Sequence, residues 1–114
     1  MKTIQDKISI ADLTQMSEKM FDNLVKAVVD VEQEIMVVDA GLHSDEELFM
    51  LGNGSKQGDL WGINIYPDKA GTENFIEFDS MINMRPGWGN RTRGVDDIKT
   101  QEKIKKIVTR LVKL

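Results

Sequence analysis

The apolar positions of this chain change period several times, and each change marks an element. Leu13, Met16, Met20 and Leu24, with Phe21 beside them, recur at three- and four-residue spacing, which predicts an amphipathic helix over residues 10–24. Ser9 stands before it as an N-cap, with Asp12 three residues on as a weak capping box. Val25–Val31 and Ile35–Ala40 are short β-branched runs with polar flanks, so they read as strands joined in a hairpin through Glu32-Gln33-Glu34. Their apolar residues occupy both parities, which places them centrally with both faces covered. Asp30 and Asp39 then mark strand ends or an exposed edge. Leu60–Tyr66 alternates strictly, with Trp61, Ile63 and Ile65 on one face and Gly62, Asn64 and Tyr66 on the other. Pro67 ends that strand, and after the loop 68–73 a return strand is expected from Phe75 to Met84, with Ile76, Phe78, Ile82 and Met84 turned inward.

Two further stretches read as helices. Ser44 and Glu47 have capping-box spacing, and Asp45, Glu46 and Glu47 in a first turn complement the helix dipole. Leu48, Phe49, Met50 and Leu51 are expected to supply the buried side, and Gly52-Asn53-Gly54 to stop the helix. Near the C-terminus Asp96 and Asp97 cap a helix whose apolar stripe is Ile98, Ile104, Ile107, Val108 and Leu111, with Lys and Arg crowding its outer face. Lys2–Gln5 adds a short N-terminal edge strand. The expected fold is α+β: an antiparallel sheet of two β-hairpins plus this edge strand, packed with three helices in one domain over residues 1–114.

Composition narrows the chemistry more than it changes the fold. The 114 residues include no cysteine, which removes disulfides, thiolate metal sites and cysteine nucleophiles and fits a reducing cytoplasm. No apolar run reaches membrane-span length and no signal-peptide pattern opens the chain, so a cytoplasmic protein without membrane contact is expected. Asn90-Arg91-Thr92 matches a glycosylation sequon and reads as chance. The net charge of −4 hides a segregation: residues 27–55 hold seven acids and no Lys or Arg, whereas residues 85–114 hold nine Lys and Arg against three acids.

That segregation draws attention to residues 84–97, Met-Arg-Pro-Gly-Trp-Gly-Asn-Arg-Thr-Arg-Gly-Val-Asp-Asp. Arg85, Arg91 and Arg93 can each grip a phosphate or carboxylate in two-point fashion, Trp88 can stack on a base, and Asn90 adds an amide. The alternative is that the arginines pair with the chain's own acidic segment. A second candidate surface is the polar face of the later hairpin, Asn64, Tyr66, Glu77, Asp79 and Asn83, which is either solvated or the floor of a cleft. The single histidine, His43, lies near Asp39, Asp45 and Glu46, but H-x-D-E is not a ligand spacing, and no metal or other cofactor is expected. No P-loop and no G-x-S-x-G elbow is present.

The stretches Ala27–Asp30, His43–Asp45, Gly54–Gln57, Asp59–Pro67, Ile82–Pro86 and Gly89–Arg91 together resemble the small prokaryotic proteins grouped as domain-of-unknown-function family 5674. The resemblance spans nearly the whole chain and is most specific around Leu60–Pro67 and Ile82–Arg91. It implies a small stand-alone domain and brings no activity and no residue role with it.

The reading that follows is a non-enzymatic binding module of unknown partner. Its loop 84–97 and basic C-terminal helix would hold an acidic protein surface or a second copy of the chain. An RNA- or nucleotide-phosphate-binding protein or small nuclease using the same loop is the alternative. A metal-assisted hydrolase around Asp39 and His43 stands third. An anionic ligand suits the loop, while the overall negative charge weighs against non-specific DNA binding.

Overall fold

β-Branched residues in the first half of the chain build the sheet on which the other elements lie. The computed structural model describes all residues, 1–114. In chain order the elements are β1 (Lys2–Ile4), β2 (Ile8–Ser9), α1 (Ile10–Ser17), β3 (Val25–Asp30), β4 (Ile35–Val38), α2 (His43–Gly52), β5 (Leu60–Ile65), β6 (Ile76–Glu77), α3 (Ile98–Leu111) and β7 (Val112–Lys113). The five-stranded sheet has the order β1-β4-β3-β5-β6 and is antiparallel throughout. The fold is thus α+β with three helices, as the periodicity indicates. Both hairpins form, and Lys2–Ile4 is the edge strand. No helix is long and apolar enough to cross a membrane.

β3 sits at the centre and is covered on both sides, which is why both its parities are apolar. On one side Ala27 and Val29 join Met36, Val38, Ile63 and Ile65 beneath Leu13 of α1 and Ile104, Ile107, Val108 and Leu111 of α3. On the other side Val28 and Val37 meet Met50 of α2 and Leu60 in a smaller cluster. Asp30 ends β3 as expected, but it is buried and not exposed. Its carboxylate accepts from the Glu32 and Gln33 amides, the Gln33 side chain and, at 2.6 Å, the Ser55 hydroxyl, so it pins the turn before β4. Asp39 leaves β4 with φ 69° and pairs with Lys19 at 2.9 Å.

Several boundaries differ from expectation, each for a local reason. Ser9 caps α1 through the Asp12 amide, yet the helix stops at Ser17 and not at residue 24. Asp22 and Asn23 take left-handed φ values of 66° and 54°, a conformation that short polar side chains tolerate, and the turn leaves Phe21 fully in solvent. α2 begins at His43 with Leu42 at the cap, so Ser44 caps nothing. Asp97 alone caps α3, by accepting from the Thr100 amide and hydroxyl. Asp96 instead holds the preceding loop through the Arg91 amide and Thr92 hydroxyl. Ile98 is exposed and lies outside the buried stripe of α3. The helix then ends one turn short of the terminus, where β7 pairs with β2 in a two-stranded parallel ladder.

The largest departure is the return strand. Only Ile76 and Glu77 pair with β5, opposite Ile65 and Asn64. Past that point side chains satisfy the β5 edge. The Asn83 amide accepts from the Gly62 N–H (2.8 Å) and donates to the Gly62 carbonyl (2.9 Å), and the Arg85 guanidinium donates to the Leu60 carbonyl (2.6 Å). A strand edge requires partners for its backbone groups and does not specify that they be backbone. Gly62 is needed because a Cβ there would lie 2.6 Å from the Cβ and Oγ of Ser80, so the segment 78–83 rests directly on the sheet.

Candidate functional site

Residues 84–94 fold around two side chains. Asn90, buried, donates through Nδ2 to the carbonyls of Asn83 (2.8 Å), Thr92 (3.1 Å) and Gly94 (2.9 Å), while its Oδ1 accepts from the Asp96 amide at 2.8 Å. Arg85 pairs its backbone with that of Asn90 and spends its guanidinium on the Gln57 and Leu60 carbonyls. The same guanidinium lies over the Trp61 ring at 4.4 Å and near the Trp88 ring at 5.7 Å. Burial lowers its pKa, although Glu47 nearby works in the opposite direction.

The three arginines therefore do not converge. Arg85 is held by carbonyls and indoles, and Arg93 donates from Nε to Asp79 at 2.7 Å. Arg91 is exposed, and its side chain makes no ion pair or hydrogen bond within the chain. The acidic segment takes neither Arg85 nor Arg93. One pair joins it to the basic third of the chain, Arg110 with Glu34 at 3.7 Å, supported by a 2.8 Å hydrogen bond to the Glu34 carbonyl. Trp88 stands 63% exposed beside Gly58.

The polar hairpin face is brought together in part. Asn64 donates to Glu77 Oε1 at 2.9 Å and to the Asp79 carbonyl at 3.4 Å, and the Tyr66 hydroxyl donates to the same Glu77 oxygen at 3.0 Å. Burial, then Glu77, pushes the Tyr66 phenol up to about 12. Asn83 belongs instead to the sheet edge described above. Next to this group a hollow of about 300 Å³ opens between the start of α2 and the segment 79–82, with Lys26, His43, Asn64, Asp79 and Arg93 around it.

His43 reaches this hollow because α2 begins two residues earlier than its acids suggest. Its Nε2 lies 2.7 Å from the Ile63 carbonyl; since a carbonyl only accepts, Nε2 carries the hydrogen and Nδ1 presents a lone pair. Burial holds the imidazole pKa below its ordinary value, so the ring is neutral near pH 7. Asp39 lies in a different hollow, beside Lys19 and Met20, and nowhere do three His, Asp or Glu side chains gather as metal ligands.

Two features escaped the reading of the chain. Glu46, assigned to the helix dipole, is fully buried on the same face of α2 as His43 and Met50. Its Oε2 accepts from the Ala40 amide at 3.2 Å, its Oε1 has no partner, and burial pushes its carboxyl up to about 9. The spacing 43, 46, 50 is the helical signal that identifies this face. The second feature is an unpartnered apolar surface. Leu48, Phe49, Met50 and Leu51 point in four directions about 100° apart, so the sheet can cover only one of them, and it covers Met50. Leu48 is 70% exposed. Met81 and Met84, in and after the turn that packs on α2, are exposed as well.

Comparison with known proteins adds a family and no activity. The family model described as "Protein of unknown function (DUF5674)" matches residues 2–111. No curated protein and no solved structure matches the chain.

Proposed function

This chain belongs to that family of unknown function, and we propose that it is a non-enzymatic interaction module that pairs with a second copy of itself through α2 and the loop 84–94. The observation that carries this reading is the apolar surface of α2. A short helix with large apolar residues on every side is stable when every side is covered, and exposed patches of this kind mark interfaces. Leu48 and Leu51, with Met81, Met84 and Trp88 of the neighbouring turns, supply the apolar centre.

Charge favours a copy of the chain as the partner. Asp45 shares the outer face of α2 with Leu48, three residues on, and α2 carries no lysine or arginine. The loop alongside presents Arg91, which is free of any ion pair. A two-fold axis through the apolar centre sets the acidic helix of one copy against the basic loop of the other, because an isologous interface pairs each patch with its complement twice. The nucleotide reading fits less well. It needs the loop's arginines to converge on one phosphate group, and they do not: Arg85 spends its guanidinium on the Gln57 and Leu60 carbonyls, and Arg93 is tied through Nε to Asp79.

Sedimentation equilibrium tests the proposal. The protein is expected to dimerise with micromolar affinity, and Leu48→Glu to be monomeric with its fold intact by circular dichroism. Asp45→Arg and Arg91→Asp should each weaken the dimer, and the double variant should regain it. A parent protein still monomeric at about 100 µM, far above a micromolar Kd, refutes the reading.

A further inference from the structure

The hollow beside His43 contains groups that the fold leaves unpaired. Five separate segments bring side chains to it: Lys26 from β3, His43 from α2, Asn64 from β5, Asp79 from the segment after β6, and Arg93 from the arginine loop. Lys26 and Asn64 are cross-strand neighbours in register on β3 and β5, so they share one face and form the floor. Leu42, Met81 and Ile82 add apolar walls.

Asn64 is the most informative of these groups. It is 7% exposed, and its orientation is fixed because Nδ2 serves two acceptors, Glu77 Oε1 and the Asp79 carbonyl. That leaves Oδ1, itself buried beneath the lining, with no donor in the chain. A buried acceptor without a partner is costly, so Asn64 marks this region as one the chain alone does not satisfy. His43 makes a matching demand: its Nε2–H is spent on Ile63, and Nδ1 is an acceptor without a donor.

The charges at the site complement these acceptors. Lys26 Nζ makes no hydrogen bond or ion pair in the chain. Arg93 uses only Nε on Asp79, so both terminal nitrogens remain free for a planar two-point contact. Lys26 and Arg93 against Asp79, with a neutral His43, give the lining a net charge of +1. A carboxylate monoanion neutralises it, whereas a phosphate monoester, with a charge near −2, overshoots. The volume, about 300 Å³, is at the small end for ligand pockets and restricts the occupant to a small molecule.

We infer that this hollow binds a small carboxylate monoanion that also carries a hydroxyl or amide hydrogen. The carboxylate lies between Lys26 and Arg93, and the hydroxyl or amide N–H donates to His43 Nδ1. No bond is made or broken, and no further group is required.

Nuclear magnetic resonance titration of the whole chain tests this, with lactate, N-acetylglycine, acetate and inorganic phosphate as probes. Saturable shifts of the Asn64 side-chain amide and the His43 imidazole are expected with lactate and N-acetylglycine. Acetate, which lacks the donor, should bind at least tenfold more weakly. Lys26→Met and Arg93→Gln should each weaken lactate binding at least tenfold, with a thermal melt of each variant confirming its fold. A second measurement needs no variant: the imidazole nitrogen spectrum of the parent protein should show hydrogen on Nε2 and, on lactate addition, a shift confined to Nδ1. The absence of saturable binding by any carboxylate overturns the proposal, as does phosphate binding as tight as lactate binding. Lactate binding that survives Lys26→Met and Arg93→Gln overturns it too. Leu48 lies outside the hollow, so the same titration on Leu48→Glu separates this site from the self-association face. Lactate should bind that variant as it binds the parent.

Discussion

Replacing Glu46 by glutamine should stabilise this protein, and the gain should grow with pH. Glu46 lies between α2 and the sheet with no exposed surface, and its carboxyl is raised from 4.5 to about 9. Desolvation is the dominant cause, and Asp39 adds to it; the Ala40 amide, Lys26 on β3 and the amino terminus oppose it. The sign follows from proton counting. Between pH 4.5 and pH 9 the folded chain keeps a proton that the unfolded chain has released, so stability is fully present below pH 4.5 and falls as pH rises. Each pH unit in that window costs about 1.4 kcal/mol. From pH 5 to pH 8 the loss is therefore about 4 kcal/mol.

Glutamine resembles the protonated acid in shape and does not titrate. Its amide hydrogens lack an acceptor, as the acid's proton does, but that cost is independent of pH. The assay is urea unfolding of both proteins at pH 5, 6, 7 and 8. The stability difference, Glu46→Gln minus parent, should rise by about 4 kcal/mol across the series. His43 has a lowered pKa, so its stabilising contribution is lost on acidification. That term is common to both proteins and cancels in the difference. A difference that stays constant within about 1 kcal/mol from pH 5 to pH 8 would mean that the carboxyl titrates normally, and the burial argument would fail.

Three other substitutions probe how the loop 84–94 and the β5 edge are held. Asn90→Ala removes the partner of three carbonyls and one amide, and should cost about 3 kcal/mol in urea unfolding, since several buried groups are orphaned together. Gly62→Ala places a methyl 2.6 Å from Ser80 and should cost about 1–3 kcal/mol; pairing it with Ser80→Gly should recover most of that loss. Arg85→Lys keeps the charge but loses the two-carbonyl fork and the stacking on Trp61, so a loss of about 1–2 kcal/mol should accompany a change in tryptophan fluorescence.

What could be read from the chain depended on whether the signal was local. β3, β4 and β5 were visible because apolar side chains at strand spacing bury themselves in the only way a strand allows. The end of α1 was not, since Met20 and Leu24 continue the helical period, while the left-handed turn at Asp22 and Asn23 depends on delivering Val25 into β3. The β2–β7 ladder joins two residues near each end of the chain and leaves no local trace. The expected return strand failed for a different reason. Residues 78–85 have strand-like alternation, but the hydrogen bonds that a strand would make are made by the Asn83 and Arg85 side chains, and propensity says nothing about such a substitution. At the hollow, Asn64 and Asp79 were visible through alternation and Arg93 through composition. Lys26 and His43 were not visible as members of one group, because only the register of β3 on β5 and the first turn of α2 bring them there.

These placements change what the arginine loop can do. Composition makes its three arginines equivalent, but the fold gives them different work. Arg85 completes a sheet edge, and its loss should be felt in stability before it is felt in binding. Arg91 is free in solvent, where one guanidinium adds to an interface but cannot form a pocket. Arg93, anchored by Asp79, is the one that faces Lys26 across a cavity lined by His43, whose Nδ1 is an unpaired acceptor. The charge segregation in the sequence therefore points toward surfaces that meet, whereas the case for a small ligand rests on two arginine neighbours that composition does not single out, a lysine on β3 and an asparagine on β5. A substitution at Arg91 should alter association and leave the hollow unchanged, and one at Lys26 should do the reverse.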